Sequence, residues 1–270
     1  MRSSYFPGHM AAGSRTMAAM MRTADVLLHV LDARAPMSTA GKLPGGGGRR
    51  PPVLVVLNKS DLADPTVTDR WIRYFKEQGD WAAAVDSRAC SGVGPMVRRL
   101  VGGGGRPVAV SVAVVGMPNV GKSSLINCLA GRARAPRGDR PGITKAPQWI
   151  GTERGLRLLD TPGITSPGEL SEEKAFTLAC LGVVPEYAVD PVASVSWLLE
   201  RLPGVALAVA SRHDAGGKSL PAKELLATVA AYRGLLGSGG IPLLEQAAIV
   251  VLREFRQGKL GRFSLETPGD

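Results

Sequence analysis

Val108-Ala109-Val110-Ser111-Val112-Ala113-Val114-Val115-Gly116-Met117-Pro118-Asn119-Val120-Gly121-Lys122-Ser123 passes from a nearly continuous apolar run into a glycine-bounded turn that ends in Lys-Ser. The turn fits G-x-x-x-x-G-K-[ST], and it lies after an apparent strand and before a helix, the setting in which that spacing cradles phosphates. In such a loop the backbone N–H groups and the helix N-terminus face phosphate oxygens. Lys122 is then expected to meet the β and γ oxygens, and the Ser123 hydroxyl to ligate magnesium. Asn119, Val120, Gly121, Lys122, Ser123 and Ser124 are the nucleotide-binding candidates of this stretch. A glycine turn without a ligand is the alternative, and the flanking strand and helix argue against it.

Working outward, residues 26–31, 53–57 and 156–159 are apolar in the same way, and with 108–115 they read as buried parallel strands. Helical patterns fall at 10–21, 67–78 and 123–129. Alternating strands and helices predict a doubly wound α/β sheet, whose ligands bind at the carboxyl ends of the strands. Glycine runs at 45–48 and 102–105 read as flexible connections. Past residue 170 the pattern turns helical: 172–181, a helix capped by Asp190 with Pro191 at its first position and running through Leu202, 222–235, and 242–257 closed by Gly258. The expected domains are 1–170, an α/β nucleotide-binding domain, and 171–270, a smaller helical one.

Composition sets the limits. The 270 residues carry a net charge of +10, with 44% hydrophobic and 21% charged residues, which excludes general disorder. The longest apolar runs fall far short of the ~20 residues that cross a bilayer, so no membrane span is expected. Cys90, Cys128 and Cys180 share no metal-ligand spacing and are one partner short of a disulfide framework, which predicts a reducing compartment. Residues 1–9 show neither a signal peptide nor an Arg/Ser-rich presequence, and there is no terminal prenylation cysteine; the chain is expected to stay where it is made. At 5%, aromatic residues are too few to suggest a platform for stacking single-stranded bases. His29 in an apolar strand and His213 in a loop read as core or surface residues, and Met10, Met17, Met20 and Met21 as a packing face.

Other segments complete a nucleotide site. Asp160-Thr161-Pro162-Gly163 ends the strand at 156–159, where a magnesium carboxylate of a P-loop protein belongs, and the Gly163 N–H is placed to meet the γ-phosphate. Thr144 lies between the two phosphate elements; it is either a loop hydroxyl or a switch residue that reaches magnesium only with triphosphate bound. Asn58-Lys59-Ser60-Asp61, after the strand at 53–57, selects the base. A carboxylate at Asp61 accepts from both N1–H and the 2-amino group of guanine, whereas adenine leaves it unpaired. Asn58 is expected to brace the base loops and contact N7, the Lys59 stem to pack on the ring, and Ser87 to mark a further base-facing loop. Because Asn58 precedes Gly116, the base loop comes before the phosphate loop, a circular permutation that an unchanged sheet tolerates when the native termini are close.

With these motifs in place the sequence resembles the circularly permuted GTPases of the YlqF/RbgA family, which assist assembly of the large ribosomal subunit. The likeness is carried by Phe6-Pro7-Gly8-His9-Met10, Asp32-Ala33-Arg34-Ala35-Pro36-Met37-Ser38, Asn58 to Asp61, Gly116 to Ser123, Gly138-Asp139-Arg140-Pro141-Gly142-Ile143-Thr144, Asp160 to Gly163 and Gly261-Arg262-Phe263-Ser264. It departs at 39–48, which is glycine-rich where the family usually has Arg-Asn-Pro and a short helix. The resemblance implies a Ras-like GTPase domain that uses GTP/GDP and Mg2+, acts on the large ribosomal subunit through rRNA and ribosomal proteins, and leaves on hydrolysis. Ile164 stands where many GTPases carry the glutamine that orients water. The resemblance assigns that work to His9, which by itself reads as a cap for the helix starting near Met10. Asn119 matches the residue that helps hold potassium in cation-stimulated relatives, and is otherwise a loop-stabilising amide. Arg132, Arg134, Arg137, Arg140 and Lys145, and then Arg253, Arg256, Lys259 and Arg262, form basic clusters suited to RNA phosphates or to a solvated face. A monomer in the bacterial cytoplasm is expected, with the mitochondrial matrix or a plastid as alternatives. Two other functions stay open from sequence: a nucleotide-stabilised RNA-binding scaffold with little turnover, and another P-loop NTPase or kinase.

Overall fold

The computed structural model describes residues 21–41, 43, 51–93, 95–96, 110–131, 148–152, 155–161, 171–185, 188–215 and 220–269. The chain forms two units, Met1–Glu169 together with Glu266–Asp270, and Leu170–Leu265.

The first unit is built on a six-stranded sheet in the order β3-β2-β1-β4-β6-β5. β1 (Val26–Asp32) is central and pairs in parallel with β2 (Val53–Asn58) and β4 (Val110–Val115). β3 (Trp81–Val85) extends the sheet beyond β2 and β6 (Leu156–Asp160) extends it beyond β4, both in parallel. β5 (Gln148–Gly151) closes the far edge antiparallel to β6. The near-continuous apolar runs have a simple cause: Leu28, Val30, Val56, Leu57 and Val112 to Val115 are all essentially buried, as strands covered on both faces must be. Each such valine or leucine contributes about 1.5–3 kcal/mol relative to exposure.

The helices of this unit include α1 (Pro36–Ala40), α2 (Pro65–Glu77) and α3 (Lys122–Ala130) among the described residues. Asp64 caps α2 by accepting from Thr66 N and Val67 N, and the helix buries Trp71 and Phe75 against Leu31, Leu57 and Ala63. The four strands expected from apolarity are all present and parallel, and the expected helices at 67–78 and 123–129 are α2 and α3. β3 and β5 carried no such signal. The helix at 10–21 lies outside the described residues except for Met21, which is helical and buried. Both glycine runs also lie outside them.

Of the cysteine reading, only the absence of a pairing is corrected. Cys90, in the turn after β3, and Cys128, on α3, are joined in a disulfide with Cα atoms 5.6 Å apart. An odd count excludes only complete pairing, and spatial proximity decides which two residues meet. Cys180 is buried outside the pair, with its Sγ 3.6 Å from Ser194 O.

Among the described residues the second unit is five α-helices: α4 (Glu172–Cys180), α5 (Pro191–Arg201), α6 (Pro203–Arg212), α7 (Ala222–Tyr232) and α8 (Leu244–Arg256). Asp190 caps α5 from its side chain, with Pro191 at the first turn. Pro203 drives Leu202 out of helical geometry, to φ −128 and ψ 82, and then opens α6, a helix that the sequence reading does not predict. Leu198, Val205, Val209, Leu226, Val229 and Val251 form the apolar interior. No single helix among the described residues is long and apolar enough to cross a membrane.

A charged group sits in that interior. Glu254, its side chain 5% exposed, accepts from Arg212 Nε at 2.9 Å and from the Arg233 guanidinium, and pairs with His213 Nε2 at 2.8 Å. His213 is therefore a core residue, tying the end of α6 to α8. Arg256 is also committed internally: Nη2 donates to Ala179 O at 2.7 Å and Nε to Cys180 O at 3.2 Å, covering carbonyls at the end of α4. The C-terminal basic cluster thus loses one member as a phosphate contact.

Burial raises the Glu254 pKa, but the hydrogen bonds from Arg212 and His213 outweigh it and hold the carboxyl below its ordinary range. A depressed carboxyl pKa contributes stability above the unfolded value and loses it as pH falls through the folded one. Glu254→Ala is expected to cost about 3 kcal/mol at neutral pH, the low end for breaking a buried pair, because both arginines are part-exposed. Urea unfolding followed by far-UV circular dichroism should show the gap from wild type narrowing below about pH 4; a gap independent of pH would contradict the ion-pair account.

Candidate nucleotide-binding site

The carboxyl ends of β1, β2, β4 and β6, with the turn after β3, bring together the predicted residues that are described. β4 leads into the loop 116–121. Gly116 has φ +155 and Gly121 φ +97; a Cβ on Gly116 would strike Val30 O, and one on Gly121 would strike Asn58 Nδ2. Both positions require glycine for space as well as for conformation. Asn119 holds a left-handed φ of 59, and Val120 is buried. α3 starts immediately after Gly121 with no side-chain cap, so its first N–H groups point out of the helix N-terminus as anion donors.

Lys122 is 8% exposed and donates from Nζ to Met117 O at 2.8 Å. Burial pushes its pKa down to about 8, against the opposing pull of Asp160. Asp160 is fully buried at the end of β6, in register with Val114 of β4, and the following Thr161 hydroxyl donates to Val114 O at 2.6 Å. This anchors the strand end beside the phosphate loop. Ser123 and Ser124 are half-buried in the first turn of α3. A hydroxyl and a buried carboxylate are hard oxygen donors, so Ser123 and Asp160 fit magnesium.

Asn58 links three loops. Its Nδ2 donates to Val120 O at 2.7 Å, and its Oδ1 accepts from Ser87 N at 3.2 Å. Ser87 is buried in a turn shaped by Asp86, whose Oδ1 accepts from Arg88 N and Ala89 N. Asp61 is half-buried, and its pKa is raised first by burial and then by the nearby Asp86 charge. A half-buried carboxylate in this setting suits a ligand edge that supplies two donors.

Lys59 has a left-handed φ of 59, and its Nζ lies 3.0 Å from Asp32 Oδ2. Asp32 is fully buried and is also gripped by Arg34, Nε to Oδ1 at 2.9 Å and Nη2 to Oδ2 at 2.8 Å. Burial opposes ionisation of Asp32, but the two cations outweigh it and hold the carboxyl well below the usual range. The sequence reading did not assign this cluster a role; its signal was the Asp-Ala-Arg triplet directly after an apolar strand. His29 is a core residue with its ring nitrogen 2.7 Å from Ala40 O. His9, Thr144, Gly163, Ile164 and the basic residues Arg132, Arg134, Arg137, Arg140 and Lys145 lie outside the described residues.

Residues 111–190 match a family model described as a 50S ribosome-binding GTPase. The whole chain is 35% identical to "Ribosome biogenesis GTPase A" of Priestia megaterium, over 98% of that protein. It is 33% identical to "Mitochondrial ribosome-associated GTPase 1" of Bos taurus, over 97% of this chain and 88% of that one. Among solved structures, GNP-bound YlqF from T. maritima aligns with a TM-score of 0.71 at 30% identity, over 96% of this chain and 99% of that one.

A lysine with its pKa near 8 regains its proton when a polyanion arrives. Nucleotide binding should therefore take up protons above about pH 7.5 and weaken as pH rises through 8. Calorimetric titration at pH 8.5 in two buffers of different ionisation enthalpy reads the uptake. Identical heats in both buffers would contradict it, and Lys122→Met should abolish the difference along with most of the affinity.

Proposed function

The chain belongs to the ribosome biogenesis GTPase A (YlqF/RbgA) family of circularly permuted GTPases, and on that premise we propose that it is a late assembly factor of the large ribosomal subunit, docking with GTP bound and leaving after hydrolysis. It is an α/β P-loop enzyme that hydrolyses GTP to GDP and phosphate and takes part in ribosome biogenesis. The observation that carries the reading is the Asn58 bridge, which holds a base-reading loop and a phosphate loop in one place.

In this reading the Asp61 carboxylate accepts from guanine N1–H and the 2-amino group, the Lys59 stem lies along the ring, and the Asn58 amide faces N7. Ser87 closes the base side. The N–H groups of Asn119 to Ser124 surround the phosphates, and Lys122 exchanges its bond to Met117 O for phosphate oxygens. Ser123, Asp160 and, with triphosphate, Thr144 would hold Mg2+, which when bound neutralises charge on the β and γ oxygens. Gly163 would donate its N–H to the γ-phosphate. His9 would position the attacking water, since the Ile164 side chain has no polar atom with which to do so. Asn119 would help hold a potassium ion whose charge does the work of an arginine finger.

The net charge of +10 supports contact with rRNA, and Arg253 and Lys259 are exposed on the helical unit. Ribosomal proteins would complete the docking surface. We read the chain as a monomer. Its relatives include bacterial ribosome biogenesis GTPases and a mitochondrial ribosome-associated GTPase; the bacterial cytoplasm is the preferred location, with the mitochondrial matrix or a plastid as alternatives.

Sedimentation with large subunits, with a GTP analogue or with GDP, tests the proposal together with turnover measured in potassium and in sodium. Expected are co-sedimentation with the analogue only, turnover that rises with subunits and is faster in potassium, and a loss of that rise in His9→Ala with GTP affinity kept. Equal sedimentation in both nucleotide states would overturn release on hydrolysis, and turnover indifferent to subunits would overturn the ribosomal partner.

A further inference from the structure

The chain leaves its nucleotide-binding unit after Glu169 and returns to it at Glu266, so that residues 266–270 belong to that unit. Glu266 is bound there on every polar side. Its carboxylate accepts from Met37 N at 2.8 Å through Oε2 and from Ser38 N at 3.0 Å through Oε1. Its own N–H points to Arg34 O at 3.4 Å, and its carbonyl accepts from the Trp71 indole Nε1 at 3.2 Å. Arg70 adds a bond from Nη2 to Pro268 O at 3.3 Å. The returning segment therefore joins residues 34–38 to α2.

Residues 34–39 are also what hold Asp32. Thr39 Oγ1 accepts from Asp32 N at 3.0 Å, and the Arg34 guanidinium grips both Asp32 oxygens. Asp32 Oδ2 in turn holds Lys59 Nζ. A lysine stem samples many rotamers, and one that forms a wall of a binding pocket gives tighter binding if its ordering cost has been met before the ligand arrives. A fully buried carboxylate locked by a planar guanidinium fork is a fixed anchor for such a stem.

We propose that Glu266 is a positioning residue for the base pocket: it fixes residues 34–38, which fix Asp32, which holds Lys59 in its base-facing position. This rests on the reading of Lys59 and Asp61 as the base-reading pair. Glu266 touches no nucleotide and acts equally on GTP and GDP. Its loss raises Kd and KM and leaves kcat at saturating GTP unchanged, because the phosphate loop lies outside this chain of contacts.

The test is titration of the full chain with a fluorescent GDP analogue, held well below the thermal unfolding midpoint, with kcat and KM measured in parallel. Glu266→Ala and Asp32→Asn should each weaken GDP about five- to tenfold, and the double variant should bind no more weakly than Asp32→Asn alone, as expected of residues acting through one path. Glu266→Gln, which keeps a carbonyl acceptor for the two N–H groups, should stay within about twofold of wild type. Normal GDP affinity in Glu266→Ala despite a lowered unfolding midpoint overturns the proposal, as do losses that multiply in the double variant. Should Glu266→Ala not fold, Glu266→Gln and Asp32→Asn carry the test, and normal GDP affinity in Asp32→Asn overturns it. Asp61→Asn separates the premise: it should trade guanine for xanthine, whose oxygen replaces the 2-amino donor. If that preference does not change, the base reading falls and the proposal with it; if it changes while Glu266→Ala binds normally, the proposal alone falls.

Discussion

The Asn58 side-chain amide is the joint on which the site depends. It donates to Val120 O, 62 positions later in the chain, and accepts from Ser87 N, so that one planar group sets the spacing of three loops. Asn58 is fully buried, and removing the amide would leave a carbonyl and an N–H without their partner, at a cost of about 1–3 kcal/mol for each buried group. The bond also explains a constraint on its neighbour: Gly121 has to lack a Cβ because Asn58 Nδ2 occupies that space. A contact made through space does not depend on which loop was synthesised first. Permutation of the chain therefore leaves the pocket unaltered as long as β1 stays between β2 and β4.

Around this joint the charges are arranged for a polyanion with a polar edge. Burial lowers the Lys122 pKa to about 8 and raises that of Asp61 above the ordinary carboxylate value. In the proposed function a guanosine nucleotide would bring phosphate oxygens to the first and N–H groups to the second. Asp32 is the contrasting case, a buried carboxylate already satisfied by Arg34 and Lys59, which makes it a fixed part of the frame. The helical unit uses the same device at Glu254, where one carboxylate draws Arg212, His213 and Arg233 together.

What sequence could reveal follows from these physics. Strands buried on both faces must be continuously apolar, which made β1, β2, β4 and β6 legible. β3 is three alanines between Trp81 and Val85 and reads as a helix as readily as a strand; β5 spans only Gln148–Gly151 and takes its place from pairing with β6. The Asp190-Pro191 start of α5 was legible because a cap is a local bond, whereas α6 was hidden by the helix-like sequence on both sides of Pro203. Within the site, Gly116 to Ser123 and Asn58 to Asp61 carried local signatures that chemistry could read. The Cys90–Cys128 bond, the commitment of Arg256 to the end of α4, and the attachment of Glu266 to Met37 and Ser38 each join distant positions, which no spacing rule reaches.

In the proposed function, loops from separate stretches of chain act as one guanosine-nucleotide pocket, which amide hydrogen exchange of the full chain with GDP and with ADP would read out. GDP is expected to slow exchange together at 58–62, 86–90 and 116–124, while ADP leaves the first two unchanged. Slowing confined to 116–124, or the same pattern with either nucleotide, would contradict it.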